Sequence, residues 1–317
     1  MEIDSVSILG GSGFVGRHLT ARLVSCGVEC RVVTRNLHRH RDIQAGGGVT
    51  LVEADPFDPG QLETAIQGTR AVVNLVGILN ESGAKKGFQR THVELGNRVV
   101  EACKDTGISR LLHMSALNAN ESNGPSVYLK TKGEAENRTH TLGQPHIKVT
   151  SFRPSVIFGP DDSFFNRFAD LLRTVPGPFP LACPEARFAP VYVGDVAAAF
   201  AVSLNERKAW GKHYQLCGPR SFSLKELVEY TARHAGIRKR IIGLSDSLSR
   251  LQARVMGMVP GRPFTYDNYL SLQVDSLCTS DGLAELGINA TDIDAVAPFF
   301  LAPRAQRTRY QLLRKSI

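Results

Sequence analysis

The chain has 317 residues, of which 42% are hydrophobic and 21% charged, the balance of a globular protein with a sizeable core. No apolar run approaches the roughly 18 residues that a membrane-spanning helix needs. The first predicted strand begins too near Met1 to leave room for a signal or transit peptide. We therefore expect a cytoplasmic protein, or a mature form that has lost a presequence.

The net charge of +8 is unevenly distributed. Residues 238–262 carry six basic side chains and one acid, and the end of the chain carries only basic ones, Arg304, Arg307, Arg309, Arg314 and Lys315. A solvated surface is one explanation, and an anionic partner, either a lipid surface or another subunit, is the other. No nucleic-acid-binding motif accompanies the charge, so we do not expect nucleic acid as a partner.

The six cysteines, at positions 26, 30, 103, 183, 217 and 278, include no CxxC pair. Their spacing suits neither a zinc site nor a disulfide framework. We expect small core thiols in a reducing compartment.

Apolar runs alternate with amphipathic stretches through the first half of the chain. The predicted strands cover residues 5–9, 31–34, 49–53, 71–76, 111–114 and 148–152. The predicted helices cover residues 14–24, 88–104 and 128–141, and a further helix begins at Pro59 behind an Asp58 cap and ends at Gly68. Strict alternation of this kind predicts an α/β protein with a Rossmann-type, doubly wound parallel sheet.

Between residues 154 and 190 seven prolines interrupt the alternation. We divide the chain into a nucleotide-binding domain, residues 1–153, whose core extends into later segments, and a smaller C-terminal α/β lobe, residues 154–317, interleaved with the sheet. In that lobe Ser223 and Glu226 form a capping box, which predicts a helix ending near Gly236.

A glycine-rich segment joins the first strand to the first helix. Gly10, Gly13 and Gly16 permit a tight turn and let a pyrophosphate approach backbone N–H groups, while the start of the helix, Phe14 and Val15, adds partial positive charge. Because the strand-turn-helix context is present, the motif predicts a bound dinucleotide.

The end of the second strand indicates which dinucleotide binds. NAD-binding proteins usually place an acid there, whereas this chain has Arg35, with Arg39 and Arg41 close behind. A guanidinium suits a 2′-phosphate, so we favour NADP(H) over NAD(H). Asp55, just past the third strand, is expected at the adenine edge.

Tyr128 and Lys132 lie four residues apart at the start of a predicted helix, and so on one helical face. A nearby ammonium lowers the pKa of a phenol and helps it act as a general acid or base. Ser115, just after the fifth strand, is placed to bind a substrate oxygen. These three residues are the predicted catalytic set, with Lys132 also contacting the nicotinamide ribose.

These motifs, with residues 153–160 and 191–197, resemble the extended short-chain dehydrogenase/epimerase superfamily. More narrowly, residues 73–77, 88–97, 114–117 and 158–168 resemble the nucleotide-binding accessory subunits of respiratory complex I and their bacterial relatives. The resemblance adds Leu75, Val76, Gly77 and Pro154 to the expected cofactor-binding residues. It also implies tightly held NADP(H) and an association with quinone-linked respiration at the inner membrane.

Three functions remain open at this point. The first is an accessory or assembly protein of a membrane redox system. The second is an active reductase, dehydrogenase or epimerase acting on a quinone-like, isoprenoid or sugar-nucleotide substrate, and the third is a sensor of the NADP(H) pool. The full Ser-Tyr-Lys set favours the second over the third.

An apolar stripe in the C-terminal lobe bears on the first function. It has helical spacing, is flanked by Arg250 and Arg254, and consists of Leu248, Leu251, Val255, Met256 and Val259. Such a stripe is either ordinary core or, with the basic tail that contains Leu312 and Leu313, a peripheral docking surface for an anionic membrane.

Overall fold

The computed structural model describes residues 3–81, 87–259 and 261–302 of the protein. Up to residue 154 its elements are β1 (Ser5–Leu9), α1 (Phe14–Ser25), β2 (Glu29–Thr34), a 3-10 helix (Leu37–Gly46), β3 (Val49–Glu53), α2 (Pro59–Ile66), β4 (Ala71–Asn74), a π-helix (Gln89–Glu94), α3 (Leu95–Asp105), β5 (Arg110–Met114), α4 (Val127–Gly143) and β6 (Lys148–Pro154).

The later elements are shorter and less regular. They are β7 (Ile157–Phe158), α5 (Phe165–Thr174), β8 (Phe179–Leu181), β9 (Arg187–Phe188), β10 (Val191–Tyr192), α6 (Val193–Asn205), a 3-10 turn (Arg207–Ala209), β11 (His213–Leu216), β12 (Phe222–Ser223), α7 (Leu224–His234), β13 (Ile241–Gly243), α8 (Asp246–Met256), α9 (Tyr266–Ser271), α10 (Gly282–Glu285) and α11 (Ile293–Leu301).

Seven strands form one parallel sheet in the order β11-β6-β5-β4-β1-β2-β3. From β1 the chain adds β2 and β3 on one side and then β4, β5 and β6 on the other, so the strand order reverses between β1 and β4. Open α/β sheets bind their ligands at such a switch point. The predicted doubly wound Rossmann fold is confirmed. Its outermost strand on the β6 side, β11, comes from the second half of the chain.

Helices cover both faces of the sheet. On one face, α1 and α6 bury a cluster that includes Ile8, Leu19 and Phe200. On the other face, α2 and α3 pack against strand residues such as Val72 and Leu111. Because both faces are covered, the strands are apolar on both sides, as in other parallel sheets.

Several helix and strand boundaries follow from local sequence signals such as capping residues. The bounds of β1 and β3 are those predicted, Asp58 caps α2 by accepting from Gln61 N–H at 3.0 Å, and the Ser223–Glu226 capping box is present. The predicted strand 71–76 ends early, at Asn74, because the N–H of Val76 donates to the Asn74 side chain instead of to a neighbouring strand.

The smaller lobe is built around α5, α7 and α11, with Phe165, Leu227 and Ala297 in its buried centre. Two short strand pairs, β8 with β13 and β9 with β12, lie beside these helices. The division of the chain at residue 153 stays a prediction. Within the described ranges, none of the helices has the length and hydropathy needed to cross a bilayer.

The expectation of core thiols was wrong for Cys26, which is exposed, and for one pair of cysteines. Cys217, directly after β11, and Cys278 form a disulfide across a separation of 61 residues. Their spacing carries no local signature, because the fold alone brings them together. Cys30 and Cys103 are buried thiols, as expected, and burial raises the pKa of each to about 12.

Candidate functional site

The glycine-rich turn lies at the carboxyl end of β1, beside β4. Gly10 has φ of +77°, a conformation that favours glycine, and its carbonyl oxygen accepts from Gly13 N–H at 3.0 Å. Gly13 is the N-cap of α1, and because it has no side chain the N–H groups of the first turn stay available to an anion. A Cβ on Gly16 would lie 2.6 Å from the carbonyl carbon of Gly11, so only glycine lets helix and turn pack this closely.

The segment after β4 packs directly on this turn. A Cβ on Gly10 would lie 3.2 Å from the carbonyl carbon of Leu75 and 3.3 Å from the nitrogen of Val76. A Cβ on Gly77 would lie 3.0 Å from Lys132 Nζ. The fold therefore brings the turn, residues 75–77 and Lys132 together.

Three further predicted cofactor residues border this region. Phe14 opens α1 with its ring against Gly159, and Val15 packs against the first core cluster. Pro154 ends β6, where its carbonyl oxygen accepts from Leu117 N–H at 3.0 Å. Their contacts with a nucleotide stay predictions.

Arg35 and Asp55 lie on the other side of β1, at the ends of β2 and β3, and both are exposed. Asp55 accepts from Phe57 N–H at 3.0 Å, an ordinary Asx turn. A dinucleotide that crosses the switch point would place its adenosine half on this side and its nicotinamide on the side of β4, β5 and β6.

Lys132 is buried against the end of β5. Its Nζ donates to the carbonyl oxygen of Met114 at 3.0 Å. Burial lowers its pKa to about 8, and the charge of Glu136 offsets part of that fall. A buried lysine with a pKa close to neutrality suits proton transfer or contact with a ribose hydroxyl.

Tyr128 lies one turn before Lys132, with its ring edge-on to Phe88 and His92. The sequence predicted a phenol pKa lowered by Lys132. Instead burial, together with Asp267, raises the pKa of Tyr128 to about 12. Burial is the larger cause and the charge of Asp267 the smaller, and both disfavour the phenolate.

The Ser115 hydroxyl is already engaged by the protein. It donates to Glu136 Oε2 at 2.6 Å, in a buried position under α4. Ser115 therefore adjoins the site, but in this rotamer its proton faces Glu136. A donor role toward a substrate oxygen requires a different rotamer.

His92 is a residue that the sequence did not reveal as part of the site. The N–H of Ile78 donates to its Nε2 at 3.3 Å, so Nδ1 carries the proton and donates to Thr131 Oγ1 at 2.9 Å. Burial and the charge of Lys132 lower its pKa to about 2, which keeps the ring neutral. His92 belongs to the π-helix, a form that often marks functional sites.

One cluster in the described part of the chain has the composition of a metal site. Ligand atoms of Glu136, His140 and His213 lie within 4.8 Å of one another. The Glu136 carboxylate, however, accepts from Arg153 Nε at 3.0 Å as well as from Ser115 and His213. A metal ion would have to displace a guanidinium, so the chemistry favours a hydrogen-bonded network.

Comparison with known proteins agrees with this geometry. Residues 10–157 match the family model described as NAD(P)H-binding. The fold matches a solved NADPH-dependent quinone oxidoreductase complexed with NADPH from Escherichia coli, with a TM-score of 0.72 and 20% sequence identity over 93% of this chain and 99% of that one. Residues 10–157 therefore match an NAD(P)H-binding domain, and the fold is of the Rossmann class that solved reductases and epimerases share.

Within that class, the chain is similar to subunits of respiratory complex I. It is 28% identical to the mitochondrial NADH dehydrogenase [ubiquinone] 1 alpha subcomplex subunit 9 of Rattus norvegicus, over 91% of this chain and 77% of the relative. It is also 27% identical to a ceramide reductase of Caulobacter vibrioides, over 76% of this chain and 74% of the relative. The resemblance found in the sequence is confirmed.

Proposed function

We propose that the protein binds NADP(H) and serves as an accessory protein of a quinone-linked membrane redox system, attached peripherally to the inner membrane. The glycine turn and Lys132 supply the nucleotide site, and the similarity to complex I subunits supports the setting. The observation that carries the membrane part is an exposed apolar surface on α8.

Arg35 gives the preference for NADP(H). Replacing Arg35 with alanine should weaken NADPH binding about tenfold or more and leave NADH binding nearly unchanged, because charge-assisted bonds to a phosphate contribute roughly 1.5–3 kcal/mol. Calorimetry with both cofactors measures the change, and Arg39→Ala, at an exposed position nearby, is the matched control. An unchanged NADPH/NADH ratio would remove Arg35 from the 2′-phosphate site.

The stripe on α8 faces outward. We define the α8 apolar face as five side chains of α8 and the turn that follows it, exposed by 40–79%, and these are Leu248, Leu251, Val255, Met258 and Val259. The helix meets the protein through the small residues Ser249 and Ala253 instead. The alternative of ordinary core is therefore excluded for this stripe, except for Met256, which is half-buried.

Basic and aromatic groups border the α8 apolar face. The Arg254 guanidinium lies 5.6 Å from the centre of the Tyr266 ring, and that of Arg250 lies 5.7 Å from the Tyr269 ring. Apolar side chains flanked by arginine and tyrosine are typical of surfaces that lie in the headgroup region of a membrane. The basic tail after Ala302, expected to assist, lies outside the described residues.

Charged residues on the α8 apolar face should abolish membrane attachment. The double substitution Leu251→Glu and Val255→Glu should reduce binding to anionic vesicles by more than about tenfold, because it removes apolar insertion worth roughly 1.5–3 kcal/mol per side chain and adds repulsion. Vesicle co-sedimentation at low and high salt is the measurement. Phe299→Glu, at an 84% exposed position on α11, is the control, and equal binding by all three proteins would contradict the proposal.

A second candidate function is an NAD(P)H-dependent reductase of a quinone-like or other carbonyl substrate. The observation that favours it is that the buried Lys132 lies beside Gly77, with Tyr128 one turn earlier on the same helix. In this role Tyr128 gives a proton to the substrate oxygen, and Lys132 holds the nicotinamide ribose and replaces the proton of the phenol. Epimerase chemistry on a sugar nucleotide would use the same residues.

A further inference from the structure

A short segment outside the named helices and strands crosses the carboxyl edge of the sheet. It follows α9, and we call residues 274–280 the strap. Asn118, in the turn after β5, donates from Nδ2 to the carbonyl oxygen of Asp275 at 2.8 Å. Ser155, directly after β6, donates from Oγ to the carbonyl oxygen of Ser276 at 2.9 Å. The strap therefore borders the side of the sheet where the nicotinamide is expected.

The far end of the strap is held at β11. The N–H of Thr279 donates to Gln215 Oε1 at 2.7 Å, and Cys278 is joined to Cys217 by the disulfide. Cys217 directly follows the last residue of β11, and the carbonyl oxygen of that last residue accepts from Ser155 N–H at 2.9 Å. The disulfide therefore fastens the strap covalently to the edge of the sheet that Ser155 also contacts.

Solvent can reach this disulfide. Cys217 and Cys278 are both half-buried, whereas the free thiols of Cys30 and Cys103 are buried in the core. Thiol–disulfide exchange requires that an attacking thiolate reach one of the two sulfurs, so access decides which disulfides are labile. In the reducing compartment expected for this protein, a disulfide that thiols can reach is transient and suits a regulatory role.

We propose that Cys217 and Cys278 form a thiol–disulfide exchange site whose state controls how fast the nucleotide leaves. The reactant is a dithiol. One of its thiolates attacks one cysteine sulfur, the S–S bond breaks, and the other cysteine leaves as a thiolate and takes up a proton. The second thiol of the dithiol then attacks the mixed disulfide and releases the first cysteine. The dithiol becomes a disulfide, and its two electrons and two protons pass to the cysteines.

Reduction removes the covalent anchor of the strap and leaves only its hydrogen bonds. A segment held by a few solvent-exposed hydrogen bonds opens locally at little cost in free energy. With the disulfide closed, the strap stays against Asn118 and Ser155 and slows the release of the nucleotide. With the thiols free, it opens more often and NADPH leaves faster. The inference rests on nucleotide binding, and it holds for an accessory protein and for a reductase alike.

The test compares oxidised and reduced wild-type protein. After free thiols are blocked with iodoacetamide, peptide mass spectrometry should find Cys217 joined to Cys278 in the oxidised protein. Dithiothreitol, the dithiol used as the probe, should open this bond while the protein stays folded. Stopped-flow displacement of bound NADPH by excess NADP⁺ should then show release faster by about tenfold or more, because the strap opens more often. Replacing dithiothreitol with oxidised glutathione should restore slow release.

Cysteine variants check that the effect belongs to this disulfide. Cys278→Ser and Cys217→Ser should each release NADPH at the fast rate with or without dithiothreitol. Cys26→Ser, which removes an exposed free thiol, is the matched control and should keep the full response. Circular dichroism checks the fold of each protein. A bond that opens only in denaturant, or equal release rates from oxidised and reduced wild type, would overturn the exchange site.

A second measurement does not depend on the nucleotide. In protein without NADPH, reduction should speed hydrogen–deuterium exchange of the strap by about tenfold or more, while the backbone N–H groups of β5 stay protected. Equal exchange of the strap in the two states would overturn the proposal. If the oxidised wild type binds no NADPH, the proposed nucleotide function fails, and the exchange of the strap alone decides whether the disulfide controls it.

Discussion

An alanine at Gly16 is expected to abolish binding of NADPH. The added Cβ would collide with the carbonyl oxygen of Gly10 and with the backbone of Gly11, and neither can yield as a side chain would. The turn must open, which moves its N–H groups away from the pyrophosphate. A loss of at least a hundredfold in affinity, about 3 kcal/mol, should result.

Calorimetric titration with NADPH measures this loss, and circular dichroism checks that the fold is retained. Gly60→Ala is the matched control, because the new Cβ would meet only Asp58 Oδ1, at 3.6 Å, near the start of α2. That variant should bind NADPH normally and unfold at a slightly higher temperature than the wild type. Normal NADPH binding by Gly16→Ala would mean that the nucleotide does not use this turn.

Replacing Lys132 with methionine should stabilise the protein while removing its chemistry. The fall of the Lys132 pKa from 10.5 to about 8 corresponds to roughly 3 kcal/mol of destabilisation by the buried charge. Loss of the hydrogen bond from Lys132 to the Met114 carbonyl oxygen costs about 1 kcal/mol, which offsets part of that gain. We expect the free energy of unfolding at pH 7 to rise by about 2 kcal/mol, and any reductase turnover to fall by roughly a hundredfold or more.

The pH dependence follows from the direction of the pKa change. Below pH 8 the lysine is charged in both folded and unfolded chains, so the whole penalty is present. Between pH 8 and 10.5 only the folded chain has lost the proton, and the advantage of the methionine variant shrinks toward zero. Urea unfolding at pH 7 and pH 10 measures this, with Lys130→Met, at an exposed position on the same helix, as the control. A destabilised Lys132→Met protein at pH 7 would contradict the prediction.

Elements with local causes were predictable from the sequence. Asp58 and Pro59 start α2 because a cap and a fixed φ act within one turn, and the spacing of Tyr128 and Lys132 gives their common face directly. The Cys217–Cys278 disulfide was not predictable, because it depends on a contact across 61 residues. The apolar spacing of α8 shows that one face is apolar, but not that small residues form its packed side.

The site was predicted in part for the same reason. Glu136 continues the four-residue step from Tyr128 through Lys132, so its place on the buried face was available in the sequence. The hydrogen bond that Glu136 accepts from Ser115 could not be predicted, because it depends on the distance between α4 and β5. The raised pKa of Tyr128 comes from burial and, to a smaller extent, from the charge of Asp267 on α9, and neither can be read from the local sequence.

Asp267 has a thermodynamic consequence for the two halves of the protein. Its carboxylate accepts from the N–H groups of Val127 at 2.7 Å and Tyr128 at 3.2 Å, so a residue of α9 completes the first turn of α4. Any ligand that shifts α9 therefore changes the energy of the helix that holds Lys132. Thermodynamic linkage makes this effect reciprocal. A partner that binds the α8–α9 surface and shifts α9 would change the affinity for the nucleotide, and the nucleotide would change the affinity for that partner by the same factor.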